Sequence, residues 1–236
     1  MVKLLTALVI GLVLIAPSYA CRPLVTDDCP IVDPGKWEIE SGYTAANPRG
    51  GAVSTNGLNL QIKRGMFQNF DFAVETPYRL TGPIGLQDAV LHFKYKLLGR
   101  EGLTLRGDVK LTNEDANQGL GSGYADYTIF LINSSSFGIF SIHTNLLYSF
   151  IGVAPGFLSA NFIQASIAGE YPTREDKLNI VTEIVWNNST APNPVTLLLG
   201  GYYYLIEELR IDAGLTVGIT ESASQSVATF GLTKEL

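Results

Sequence analysis

The stretch LTLRGDVKLTNEDANQGLGSGYADYTIFL, residues 103–131, decides how the rest of the chain is read. It divides into a strand, a polar glycine-rich loop and a second strand. In residues 103–111 the odd positions hold Leu103, Leu105, Gly107, Val109 and Leu111, and the even positions hold Thr104, Arg106, Asp108 and Lys110. Alternation of apolar with charged or polar residues is the period-2 pattern of a strand with one greasy and one wet face. In a soluble sheet the greasy face would need a second layer to cover it. The other segments repeat the pattern, and almost nothing reads as a covering helix. The pattern therefore predicts a barrel whose apolar face meets lipid.

Working outward, the chain yields twelve candidate strands, at 35–46, 57–64, 70–76, 88–98, 103–111, 124–133, 137–150, 158–171, 178–187, 195–205, 209–219 and 226–236. Connections after odd-numbered strands are mostly the longer ones. Short turns on one side and longer loops on the other, with an even strand count, fit an outer-membrane barrel whose termini are both periplasmic. The expected fold is all-β: a transmembrane antiparallel up-and-down barrel of twelve strands over residues 35–236. Aromatic residues near strand ends, Trp37, Tyr124, Trp186 and Tyr202 among them, suit interfacial girdles, although strands are enriched in aromatics anyway.

The wet face gathers Glu38, Glu40, Lys63, Asp71, Glu75, Lys94, Lys96, Arg106, Asp108, Lys110, Glu170, Glu183, Arg210 and Asp212 as lumen-lining residues. Two readings of these charges stand side by side. Uncompensated charge in a narrow lumen is costly, which favours a salt-bridge network filling the barrel. A polar eyelet that selects permeants is the alternative. Twelve strands lie between barrels filled by side chains and porins with open channels. Mixed signs argue against a strongly ion-selective pore. The apolar loop 151–157 and the glycine-rich segment 113–123 are the places to look for a way in or a lid.

The start of the chain supports export. Met1-Val2-Lys3 is a short positive region, residues 4–15 are apolar, and Pro17-Ser18-Tyr19-Ala20 offers a small-x-small cleavage site. Residues 1–20 read as a secretory signal peptide and residues 21–34 as an N-terminal periplasmic leader. Cys21 follows the cut, but Ser18 and Tyr19 do not make a lipobox. Cys21 and Cys29, close together in an exported chain, are candidates for a small local disulfide rather than a metal pair.

Composition narrows the function. Removing the signal deletes only Lys3, one of 16 basic residues, leaving 15 against 22 acidic ones, a balance that argues against a nucleic-acid partner. Charged residues are 16% of the chain and mean hydropathy is +0.19, greasy for a soluble exported protein. No Asp, Glu, Lys or Arg lies between Asp126 and Glu170, so transmembrane helices are the rival reading there. Asn133-Ser134-Ser135-Ser136, His143-Thr144-Asn145 and Pro155-Gly156 break that run before roughly 18 apolar residues accumulate, which favours strands.

Several pieces occur in an order shared with a known family. They are residues 22–28 (RPLVTDD), 35–40 (GKWEIE), 86–88 (LQD), 93–98 (FKYKLL), 119–127 (GLGSGYADY) and 231–233 (GLT). The chain resembles, over essentially its whole mature length, the family described as outer-membrane proteins of the meta pathway of phenol degradation. The resemblance implies a transporter-like barrel in the outer membrane of Gram-negative bacteria, for hydrophobic or aromatic small molecules. The partners expected are outer-membrane lipid, such a permeant, and the barrel-assembly machinery during insertion.

No catalytic constellation is read, and no cofactor or metal site: metal spacing, P-loop and dinucleotide glycine patterns are all missing from the sequence. His92 shares a face with Lys94 and Lys96 and reads as a wet lumen residue. Ser141, His143 and Asn145 share one strand face and are similar to the triad of the outer-membrane phospholipase, a twelve-stranded barrel. Positions two apart on a strand lie nearly 7 Å apart at the backbone, however, so contact would depend on side-chain reach, and no complete constellation meets the geometric test. The sequence thus points to a channel or transporter, ahead of a closed structural or adhesion barrel and of a lipid-active enzyme.

Overall fold

The alternation at residues 103–111 is built with its charges inside. In the computed structural model, strand Gly102–Lys110 buries Thr104, Arg106, Asp108 and Lys110 and leaves Leu105 exposed. The structure describes residues 22–28, 30–50, 52–98, 102–154, 160–173 and 177–236. The expected signal peptide and both cysteines of the disulfide reading lie outside them.

Thirteen strands follow one another among the described residues: β1 (Trp37–Asn47), β2 (Thr55–Phe67), β3 (Phe70–Arg79), β4 (Gly85–Leu86), β5 (Val90–Leu98), β6 (Gly102–Lys110), β7 (Asp126–Phe137), β8 (Phe140–Phe150), β9 (Phe162–Pro172), β10 (Leu178–Asn187), β11 (Val195–Ile206), β12 (Leu209–Gly218) and β13 (Ser226–Glu235). Twelve of them close an antiparallel ring, in which β1 pairs with both β13 and β2, and β3 pairs with β2 and β5. The ring leaves no unpaired edge, the one way a sheet can satisfy its backbone in lipid. β4 is a two-residue strand that pairs with β3 outside the ring, in what the sequence presents as a loop.

The ring strands run 9 to 13 residues, the length that crosses a hydrocarbon core when tilted. Two-residue turns join β2 to β3, β7 to β8 and β11 to β12. In the second of these Gly138 takes φ 64°, the left-handed region that tight hairpins require and glycine supplies without a Cβ clash. Trp37 and Leu236 are hydrogen-bonded to each other at this short-turn end. The longer connections gather at the opposite end.

Outside, the ring is apolar: Ile129, Leu146, Leu199, Leu215 and Phe230 are all more than half exposed. A stable surface of that kind needs lipid against it. The apparently uncharged region between Asp126 and Glu170 is β7, β8 and most of β9. No helix among the described residues is long and apolar enough to cross a membrane, so the helical reading of that region falls. Tyr202 departs from the girdle expectation: it points inward and is buried, because its register pairs it with Asp212 on the inner face of β12.

Candidate functional site

The lumen is held by ion pairs within and between its strands. Lys63 on β2 bridges Glu38 (2.7 Å) and Glu40 (2.8 Å) on β1, and Arg210 on β12 approaches Glu40 at 3.7 Å. On the far wall Arg106 grips Asp108 through Nε (2.8 Å) and Nη2 (2.7 Å), and His92 lies between Asp108 (2.9 Å) and Glu75 (3.1 Å). Lys110 pairs with Asp126 at 2.5 Å. Apart from Asp126, which the sequence reading did not single out, these are residues expected in the lumen, and they share the inner face. Lys96 shares the face but is only half-buried near the short-turn end, and forms no ion pair among the described residues. Segment 113–123, read as a way in or lid, is tied down: Asp88 accepts from the Glu114 and Ser122 amides, and Arg79 donates to the Gly119 carbonyl.

The leader is the correction to the sequence reading. The sequence reads it as a periplasmic leader, yet residues 22–28 lie inside the ring. Arg22 donates to Thr229 Oγ1 (2.6 Å) and to the Phe230 carbonyl (2.7 Å), and its Nε faces Asp212 at 3.4 Å. Glu183 accepts the backbone N–H groups of Val25 and Thr26. Asn145 brackets Asp27, accepting its N–H (2.7 Å) and donating to its carbonyl (2.8 Å). Lys94 (2.7 Å) and Arg106 (3.0 Å) converge on the Asp27 carboxylate. The segment then passes Asp71, which accepts from Val32, and meets β2 beside Gly65. The physical cause is the cost of leaving buried polar groups unmatched: Glu183 and Asp212 have no cation directly opposite them in the sheet, and the leader supplies their partners.

Space for this segment is made by glycines. A Cβ on Gly42 would fall 2.0 Å from Arg22 Cζ, and one on Gly231 would fall 2.1 Å from Arg22 Nε; on Gly214 it would meet Pro23 at 3.0 Å. Gly231→Leu should therefore push Arg22 off Thr229 and Phe230. Hydrogen bonds to a charged group contribute about 1.5–3 kcal/mol each, so docking should weaken by at least about 2 kcal/mol. Amide exchange across residues 22–28 reads this directly. Gly107→Leu is the control, because a Cβ there meets nothing within 4 Å.

The Asp27 carboxyl reports the grip. Burial pushes it up, but Lys94 and then Arg106 outweigh burial and bring it from the ordinary 3.8 down to about 2. A carboxyl lowered on docking stabilises the docked state above its free value and stops doing so as pH falls through its docked value. Leader protection factors should match at about pH 7 and about pH 5 and fall below about pH 3. A loss between pH 7 and 5 would place control in another group.

Comparison with known proteins bears on this arrangement. No protein-family model matches the chain. No curated protein matches it either. Solved structures do. An outer membrane channel from Pseudomonas putida F1 superposes with a TM-score of 0.64 at 13% identity, over 89% of this chain and 98% of that one. The KdgM porin in complex with disordered oligogalacturonate gives 0.62 at 10% identity, over 84% and 98%. The NanC porin gives 0.61 at 10% identity, over 85% and 100%. The chain has the fold of an outer-membrane β-barrel.

His92, read as a wet lumen residue, is buried between Asp108 and Glu75, and the other histidine finds its partners off its own strand. Ser141, His143 and Asn145 do not form a unit, since Asn145 is committed to Asp27. His143 Nδ1 instead meets Ser134 Oγ at 2.7 Å, its partner across β7 and β8. Its Nε2 lies 3.8 Å from Glu170, which accepts from the Tyr202 hydroxyl. A serine nucleophile needs N–H donors aimed at an oxyanion. Here Ser134 sits in the ladder between β6 and β8, where such groups are engaged.

Proposed function

We propose that this protein is exported by its signal peptide and serves in the outer membrane as a channel or transporter for small molecules, with hydrophobic or aromatic compounds as the class of permeant. The observation that carries the reading is a closed ring, apolar outside, whose inner face binds a segment belonging to none of its strands. A lumen that accommodates a peptide strand has the width to pass a small solute once that strand moves. The leader then acts as the constriction, and the charges of β5 and β6 set what passes beside it. The similarity of the fold to porins and channels supports this reading, as does the resemblance to the phenol-pathway family.

The dense ion pairing of the lumen favours a second reading, a closed structural barrel in which leader and charges are filler. Single-channel recording of the refolded protein in a planar bilayer, with liposome uptake of toluene and phenol alongside, separates the two. Discrete conductance steps, or aromatic uptake without them, support transport. Silence in both assays from a folded, heat-modifiable barrel leaves the structural reading.

A further inference from the structure

Two cations in the lumen converge on a carboxylate that is not part of the wall. Asp27 belongs to the leader, its side chain is fully buried, and it takes Lys94 Nζ on one oxygen and Arg106 Nη1 on the other. Arg106 is also held by residues of the wall itself. Its Nε and Nη2 are forked onto Asp108, and its guanidinium lies 4.6 Å above the Phe130 ring centre. Nη1 is the group that meets the Asp27 carboxylate, at 3.0 Å. A guanidinium held in this way presents a charge-assisted donor with little ordering cost.

Beside it lies something a charged lumen does not require for its own pairing. Phe130, Ile132 and Leu147 point inward from β7 and β8 and form a buried apolar cluster. The leader's Leu24 packs on a different cluster, with Val181, Leu198 and Tyr202. An anionic head on Lys94 and Arg106 would thus place an attached apolar body against Phe130, whose ring already carries Arg106 on its face. Neutral aromatics lack the head, and inorganic anions lack the body.

Resting on the channel reading above, we propose that Lys94 and Arg106 form a carboxylate-binding site whose resident occupant is Asp27, and that small amphipathic carboxylates, an acid group on an aryl or alkyl body, take the site in exchange with the leader. Asp27 is then an intramolecular competitor, present at an effective concentration on the order of millimolar. Permeants of this class displace it.

The test uses the full-length protein in lipid nanodiscs, with benzoate as the probe and benzyl alcohol as its uncharged counterpart. Asp27→Asn keeps the side chain's size and removes the one carboxylate that both cations share, leaving Lys94 its longer contact with Asp28 (3.4 Å). It should bind benzoate at least about tenfold more tightly than the unaltered protein, with benzyl alcohol unchanged. In the unaltered protein, benzoate should speed amide exchange at Thr26 and Asp27, whose N–H groups are held by Glu183 and Asn145, and benzyl alcohol should not. This second readout stands even if the variant folds poorly. Equal effects of the two probes, or no difference between variant and parent, would overturn the site. Neither readout requires flux. A barrel that binds benzoate in this way yet passes nothing retains the site and loses the channel reading; one that conducts without preferring benzoate loses only the site.

Discussion

Replacing Arg22 and Asp27 together by alanine should convert a leader docked in the lumen into one that is mostly released, with a rise in single-channel conductance. Each side chain anchors one side of the segment: Arg22 holds to β12 and β13, and Asp27 to β5 and β6. With both removed, a docked leader would leave Asp212 without its guanidinium and Lys94 with only its longer contact to Asp28 (3.4 Å), in a lumen that shields them from water. Removing one partner of a buried pair costs about 3–5 kcal/mol, because the remaining charge is uncompensated. Releasing the leader lets water in to solvate those charges, so the penalty falls on the docked state alone. Even about 3 kcal/mol is more than a hundredfold in the ratio of docked to released leader. The barrel should persist, since its ladders and lipid-facing surface are untouched, and heat-modified migration would show that. If the double variant keeps the parent's conductance while residues 22–28 lose exchange protection, the leader is not the constriction. If protection is also kept, the glycine seat and Glu183 are sufficient to hold it.

The barrel was legible because its rule is local. At Arg106 or Glu183 the side chain two positions away on the same strand faces the same way, so short stretches separate lumen from lipid. Tight turns were legible for a similar reason, through Gly138 and the two-residue spacing between β7 and β8. The occupied lumen was not. Arg22 meets Thr229 and Phe230 more than 200 positions away, and Asp27 meets Asn145, Lys94 and Arg106 on three different strands. No period joins those residues. The Ser134–His143 contact was hidden in the same manner, because it depends on cross-strand register rather than spacing along one strand. One signal was present in the sequence. Once strand faces are assigned, Glu183 and Asp212 sit on walls where Leu198, Ala168, Tyr202 and Gly231 stand opposite, and two inward acids with no cation across from them call for a partner from outside the sheet. Inward glycines at Gly42, Gly214 and Gly231 mark where it would fit.

Arg106→Leu should be the most destabilising single change in the lumen, and its magnitude separates a filled barrel from an eyelet. The side chain is nearly inaccessible, is forked onto Asp108 and reaches Asp27, so its loss leaves two carboxylates sharing Lys94 and His92. If leader and network exclude water, urea unfolding from liposomes should show a loss of about 3–5 kcal/mol. Arg106→Lys should fall between parent and Leu, because an ammonium keeps the charge but cannot fork onto Asp108 while reaching Asp27. Lys36→Ala sets the other end of the scale. Its pair with Asp33 is more than half exposed on both sides, and such pairs contribute about 0–1 kcal/mol. A cost for Arg106→Leu no larger than that of Lys36→Ala would mean that water already screens the charges of β5 and β6. The lumen would then be an aqueous eyelet with a loosely seated leader, and the network would be set there to act on permeants rather than to hold the barrel together.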